Sequence, residues 1–286
     1  MKPVCDTLHV ARSNIAERCK APLAKPKAGR KALPEDELLV QIKAEIKLQP
    51  SYGYHRIWAV LRRKAKINGL SSPNHKRVYR VMKAHSLLLS RHAGGIEQRK
   101  HDGRIAVAQS NLRWCSDGFE LACDNGEKVR VAFALDCCDR EAMGHVATTE
   151  GIKSEDVRDL MVTAVEYRFG RVNRLPETIE WLTDNGSCYL ARDTRMFGRE
   201  IGLEPLTTPI KSPQSNGMAE AFVRTIKRDY ARVTELPDAK TVMQKLPLWF
   251  EHYNTVHPHR ALGYRSPREF IADQKASATV EQMSGI

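Results

Sequence analysis

Apolar residues recur at two different periods along this chain, and the change from one to the other divides it. After Pro34, the residues Leu38, Leu39, Ile42 and Ile46 follow helical spacing as far as Pro50. From Tyr54 to Lys64, Ile57, Val60 and Leu61 form a second apolar stripe that ends in Arg62-Arg63-Lys64. Ser72-Pro73 supplies a cap and a first-turn proline for a third helix, with Val78, Val81 and Met82 inward and Lys76, Arg77, Arg80 and Lys83 on the outer face. Residues 4–19 have the pattern of a short helix–turn–helix, too short to be a domain alone. Two stretches break the pattern, the Pro-, Ala- and Lys-rich residues 20–36 and the polar residues 91–106 around Gly94-Gly95, and both read as linkers.

Beyond residue 107 the period shortens to that of strands. Asn111–Leu121, Lys128–Cys138 and Ala142–Thr149 are expected as strands, joined at Asp124-Asn125-Gly126 and Asp139-Arg140 by turns that suit antiparallel hairpins. A helix is expected from Ser154, with Glu155 and Asp156 in its first turn and Val157, Leu160, Met161, Ala164 and Val165 on its apolar face. Then come a strand over Thr178–Thr183, a helix over Ala191–Gly202, a strand over Leu203–Thr208 and a long helix over Asn216–Arg232. This order predicts an α/β domain, a mixed five-stranded sheet with helices packed on it, behind a small all-α domain.

Composition fits that picture and adds a partner. At 286 residues the chain is long enough for two compact units, and 42% apolar with 28% charged residues is ordinary for a globular protein. No uninterrupted apolar stretch approaches the roughly 18–20 residues needed to span a bilayer, so no membrane partner is expected. Seven cysteines occur without a Cys-x-x-Cys pair or a zinc spacing, which favours free, mostly buried thiols in a reducing cytosol. The net charge of +12 is unevenly spread: the first hundred residues carry +15 and the other 186 carry −3. Residues 51–100 alone hold 12 basic side chains against the single acid Glu97. Solvated faces usually mix signs, so three short helices with this imbalance point to a helix-turn-helix module that binds nucleic acid.

Three acids stand out in the body. Asp117 lies within the first strand, Asp184 at the end of the fourth, and Glu220 one turn into the long helix. A carboxylate in an apolar strand is costly to bury unless it is paired or holds a cation, and converging carboxylates call for divalent metal. Each acid also has a plainer reading. Asp117-Gly118 and Asp184-Asn185-Gly186 are turn formers, and Glu220 suits a helix N-terminus. Asp136 and Asp139 show that acids near strands are not rare here, and periodicity does not choose among them.

Longer motifs do choose. Trp181-Leu-Thr-Asp-Asn-Gly-Ser, followed by Ser212-Pro-Gln-Ser-Asn-Gly-Met-Ala-Glu-Ala-Phe-Val-Arg-Thr-Ile-Lys, resembles the catalytic core of the transposase and retroviral integrase superfamily. Between Asp184 and Glu220 stand 35 residues, the spacing of that superfamily, and Lys227 occupies its usual basic position. Tyr253-Asn254 and His257-Pro258-His259-Arg260-Ala261-Leu262-Gly263-Tyr264-Arg265-Ser266-Pro267 are similar to the tail signature of IS3-family insertion-sequence transposases, in particular the IS2-like branch and its OrfB-type product. Tyr52-Gly53-Tyr54-His55-Arg56-Ile57 resembles that family's helix-turn-helix. Around Asp117 the family shows Trp-x-x-Asp followed by an apolar residue and Thr; Trp114 and Asp117 match, whereas Gly118-Phe119 do not.

The resemblance implies a ribonuclease-H-like core in which Asp117, Asp184 and Glu220 hold two Mg²⁺ ions, with Mn²⁺ as a substitute. Such a core cleaves element ends and joins the freed 3′-hydroxyl to DNA. Arg224 and Lys227 would meet DNA phosphates beside the site, and Arg62, Arg63, Lys64, Lys76, Arg77, Arg80 and Lys83 would meet DNA from the helix-turn-helix. The implied partners are terminal inverted repeats, target DNA and further copies of the chain, in a bacterial cytoplasm at the nucleoid. The expected organisation is an N-terminal fragment and linker (1–35), a helix-turn-helix domain (36–93), a linker (94–106), a catalytic core (107–273) and a tail (274–286). Two rivals share parts of this pattern: a DNA-binding repressor or decayed transposase without catalysis, and a nuclease of RNA–DNA hybrids.

Overall fold

The architecture was obtained as a computed structural model. It describes residues 34–90, 107–208 and 217–284, with residues 2–7 and positions 9, 11 and 13 near the N-terminus. Residues 1–37 and 38–286 form two compact units. In the first, a short helix α1 (Lys2–Thr7) is described. Most of the expected helix–turn–helix of residues 4–19, both expected linkers except Pro34–Asp36, and the Ser212–Asn216 segment lie outside the described residues.

The second unit opens with three helices, α2 (Asp36–Leu48), α3 (Tyr54–Ile67) and α4 (His75–Ala84). They close on Leu38, Ile42, Tyr52, Ile57, Val60, Leu61, Val78, Val81 and Met82, all buried. Each such side chain is worth roughly 1.5–3 kcal/mol on burial, which offsets part of the entropy lost in ordering the trio. The third helix begins two residues later than expected. Its cap is Asn74, whose side chain accepts from Lys76 N at 2.8 Å, while the Pro73 carbonyl accepts from Trp58 Nε1 at 2.9 Å.

The sheet contains β1 (Arg113–Ala122), β2 (Lys128–Asp136), β3 (Ala142–Thr148), β4 (Ile179–Thr183) and β5 (Leu203–Thr207), in the order β3-β2-β1-β4-β5. β1, β2 and β3 form an antiparallel meander, and β4 and β5 join β1 in parallel. β2 stops at Asp136 rather than Cys138 because its carboxylate accepts from Cys138 N at 2.7 Å and Asp139 N at 3.1 Å, turning the chain. The same carboxylate accepts from Asn111 N at 2.7 Å, which delays the start of β1.

One face of the sheet is covered by α5 (Ser154–Phe169), whose five predicted apolar residues are all buried, together with Trp114, Met143, Ile179 and Trp181. The Asp156 carboxylate accepts from Lys153 N at 2.6 Å and caps this helix. Two helices, α6 (Ser187–Leu190) and α7 (Arg192–Ile201), lead into β5 through Gly202 at φ +96°. The opposite face packs against α8 (Gly217–Asp229) and α9 (Ala239–Thr255), with Phe119, Phe133, Phe222, Ile226, Leu246 and Phe250 in its core. α8 ends at Asp229, short of the expected Arg232, and a 3-10 turn follows at Ala231–Val233. α9 and α10 (Pro267–Ser284) lie beyond the elements that periodicity predicted. Among the described residues, the cysteines are free and no helix is long and apolar enough to cross a membrane.

Candidate active site and nucleic-acid surface

The parallel pairing of β1 with β4 sets Trp114 opposite Trp181 and Cys115 opposite Leu182. Two residues further along that register, Asp117, at the middle of β1, comes level with Asp184, just past the C-terminal end of β4. Strand alternation places Asp117 on the same face as Cys115 and Phe119, the face that α8 covers. Glu220, beside the buried Ala219 on α8, approaches from there.

Asp117 is half-buried, and its Oδ1 accepts from Gly118 N at 2.7 Å. Asp184 is exposed, and its Oδ1 accepts from Gly186 N at 3.0 Å. Burial pushes the Asp117 carboxyl up to about 6, and the negative charges of Asp184 and Glu220 push the same way, against the Gly118 hydrogen bond. The three acids are therefore electrostatic neighbours. They are not a closed ligand set, since no three His, Cys, Asp or Glu side chains among the described residues are gathered tightly enough to hold a metal ion.

The other acids that periodicity left open are accounted for within the fold. Asp139 receives Arg168 at 2.8 Å, Asp136 lies 3.6 Å from it, and Glu141 lies 3.1 Å from the same guanidinium. Asp136 and Asp139 have fully buried side chains. A cation from α5 is thus shared by this group, although burial and the charge of Asp139 still raise the Asp136 carboxyl to about 6.

On α8, Arg224 is exposed and Lys227 half-buried, one and two turns beyond Glu220 on a shared side of the helix. On α4, Lys76, Arg80 and Lys83 are exposed and Arg77 is half-buried. Arg62 lies over the Trp58 ring at 4.7 Å, and Lys64 is paired with Glu45. Arg63 stands differently. Its guanidinium pairs with Glu269 on α10 and donates to the Val256 carbonyl at 2.7 Å, so it faces the core and not the outer basic surface. Two further contacts join the same parts: Arg56 donates to Asp229 at 2.9 Å, and the Tyr52 hydroxyl meets His257 Nδ1 at 2.9 Å. Both residue stretches stood out as motifs, but no spacing signal pairs residues 173 and 205 positions apart.

A three-stranded antiparallel meander continued by two parallel strands, with helices packed on both faces, is the architecture of a ribonuclease-H-like core of the polynucleotidyl transferase class. Family models agree: two described as "Integrase core domain" match residues 107–213 and 202–267, and one described as "HTH-like domain" matches residues 34–93. The chain is 56% identical over 239 residues to "Transposase InsD for insertion element IS2A/D/F/H/I/K" of Escherichia coli, covering 83% of this chain and 79% of the relative. It matches the corresponding protein of element IS2-9 of Escherichia coli (strain K12) at the same identity, covering 83% of this chain and 77% of that one. Among solved structures, the catalytic core domain of BIV integrase aligns at a TM-score of 0.40 and 18% identity, over 59% of this chain and 99% of that one. The chain belongs to the IS3 family of insertion-sequence transposases, in its IS2-like branch. It is a DNA transposase with an integrase core and a helix-turn-helix DNA-binding domain.

Proposed function

We propose that Asp117, Asp184 and Glu220 form the catalytic centre and hold Mg²⁺, as two ions for which Mn²⁺ can substitute. The observation that carries this reading is the register that brings Asp117 level with Asp184 on the sheet face covered by α8, with Glu220 on that helix near enough for its charge to act on Asp117. The donor set is all carboxylate oxygen, which suits a hard divalent cation, and such a cation would draw the three side chains together by offsetting their repulsion. When bound, it supplies activation of the attacking oxygen and stabilisation of the leaving one.

The reaction has two steps of one kind. In cleavage, a water oxygen forms a bond to phosphorus at the element end while the 3′-oxygen departs, taking up a proton. In joining, that 3′-hydroxyl attacks a phosphodiester of target DNA, and the target's 3′-oxygen leaves in its place. Neither step forms a protein–DNA bond. Arg224 and Lys227 hold the phosphates next to the reacting one, while Lys76, Arg77, Arg80, Lys83, Arg62 and Lys64 hold the element's terminal inverted repeat. Residues 36–93 thus serve recognition and residues 107–273 catalysis. Synapsis of two ends requires more than one copy, so the working form is a homo-oligomer on DNA in the bacterial cytoplasm, at the nucleoid.

The test is cleavage and strand transfer on element-end DNA with Mg²⁺ or Mn²⁺, comparing the wild type with Glu220→Gln. Losing one metal ligand should remove several kcal/mol of transition-state stabilisation, about a thousandfold in rate, with DNA binding kept. Equal activity of the two proteins would refute the assignment. If both bind and neither cuts, the chain acts as a repressor; hydrolysis of an RNA–DNA hybrid without joining would mark a hybrid nuclease.

A further inference from the structure

The recognition helices and the helix that carries Glu220 meet at a buried seam. Asp229 is the last residue of α8, and its side chain is fully buried. Its Oδ2 accepts from Arg56 Nη1 at 2.9 Å and Arg228 Nη2 at 2.6 Å, and its Oδ1 accepts from Arg228 Nε at 2.7 Å. The neighbouring Arg228 on the same helix already pairs with both oxygens of this carboxylate. Arg56 is an additional cation, supplied from α3.

Two further straps hold the same domain. Burial keeps His257 well below its usual range, hence neutral, with its Nε2 at 3.9 Å from Asp229; the Tyr52 hydroxyl is hydrogen-bonded to Nδ1 on the other side of the ring. Arg63, two turns along α3 from Arg56, grips Glu269 and the Val256 carbonyl. The Tyr52–Ile57 motif and the His257–Pro267 motif therefore meet each other.

We infer that Asp229 is a positioning residue: through Arg56 it couples the seating of element-end DNA on α4 to the placement of α8, and so of Glu220. This rests on the assignment of Glu220 to the active site proposed above. Glu220 and Asp229 lie nine residues apart, about 13–14 Å along one helix. Phe222 and Ile226 between them are buried in the sheet's core. A helix pinned at its middle behaves as a lever, and a shift at Asp229 is delivered at Glu220.

The experiment uses the full chain as wild type, Arg56→Ala, Arg56→Lys, Asp229→Asn and Glu220→Gln, with a duplex carrying the element's terminal repeat and a random duplex as control. Hydrogen exchange at α4 and α8 is measured with and without the duplex, beside end affinity and strand transfer from a pre-cut end. In the wild type the repeat duplex should slow exchange in both helices. In Arg56→Ala and Asp229→Asn, α4 should still be protected while the protection of α8 is lost. Transfer should fall about tenfold with affinity changed less than about threefold, within the range of ordinary coupling between sites. Arg56→Lys, which keeps a cation within reach of Asp229, should recover part of both. Protection of α8 that is unchanged in the two variants, or affinity and transfer that decline in step, overturns the coupling. Glu220→Gln separates the two ideas. Full transfer activity in that variant removes the active-site assignment, while the exchange pattern still decides whether Asp229 couples the helices.

Discussion

Replacing Asp117 by Asn should stabilise the metal-free protein at neutral pH. Asp117 rises from its ordinary 3.8 to about 6, chiefly through burial and then through the charges of Asp184 and Glu220. A carboxyl that holds its proton more tightly folded than unfolded favours the fold below about pH 4 and loses that advantage as pH climbs through about 6. At neutral pH the full shift would correspond to a penalty of about 3 kcal/mol for the ionised group. Asp117 is only half-buried, and solvent screening reduces this to about 1–2 kcal/mol. The Asn side chain keeps an oxygen to accept from Gly118 N, so the charge is the main thing removed. The variant should therefore melt about 3–6 °C above the wild type near pH 7.5 in chelator, and the gap should close near pH 4. Saturating Mg²⁺, at about a hundred times its dissociation constant, should then stabilise the wild type by about 2.7 kcal/mol and the variant much less. Thermal melts across pH, with and without Mg²⁺, measure all of this. If the Asn variant melts at or below the wild type in chelator, or if Mg²⁺ raises both equally, the electrostatic reasoning fails.

Two further outcomes follow from the geometry. Arg168→Met leaves the buried carboxylates of Asp136, Asp139 and Glu141 without their common cation, and urea unfolding should show a loss of about 3–5 kcal/mol; a loss below about 1 kcal/mol would mean that the group is solvated. Arg80→Ala with Lys83→Ala should weaken binding to element-end and random duplexes alike, and lower the slope of log affinity against log salt by about 2. An unchanged slope would place the phosphate contacts elsewhere.

Local periodicity revealed those elements whose burial is one-sided. Val78, Val81 and Met82 are all fully buried, as their helical spacing required, and the predicted face of α5 is buried residue for residue. Boundaries moved where a side chain intercepted the backbone, as at Asn74 and Asp136. α9 lacks such a simple signal because Pro247 lies within it, and proline reads as a helix break. Among the acids, Asp117 and Asp136 look alike as sequence. What separates them is Arg168, which comes from a helix some 30 positions away and stands beside Asp136 and Asp139. In sequence, Arg63 counts with the basic surface and Arg56 only as part of a motif, because composition records charge and not direction. Their partners Asp229 and Glu269 stand 173 and 206 residues downstream, beyond any local pattern.

The strand order also sets a timetable for synthesis. The meander of β1, β2 and β3 is complete once residue 148 has emerged, yet Asp117 has no parallel neighbour until β4 arrives at residues 179–183. Glu220 follows later still, and the last strap on the recognition helices waits for Glu269. A ribosome that has made the three basic helices has therefore not yet made the acids proposed for catalysis. A product cut short between those points would keep the proposed recognition helices without the proposed catalytic centre, and its expected effect is to compete with the full chain for element ends.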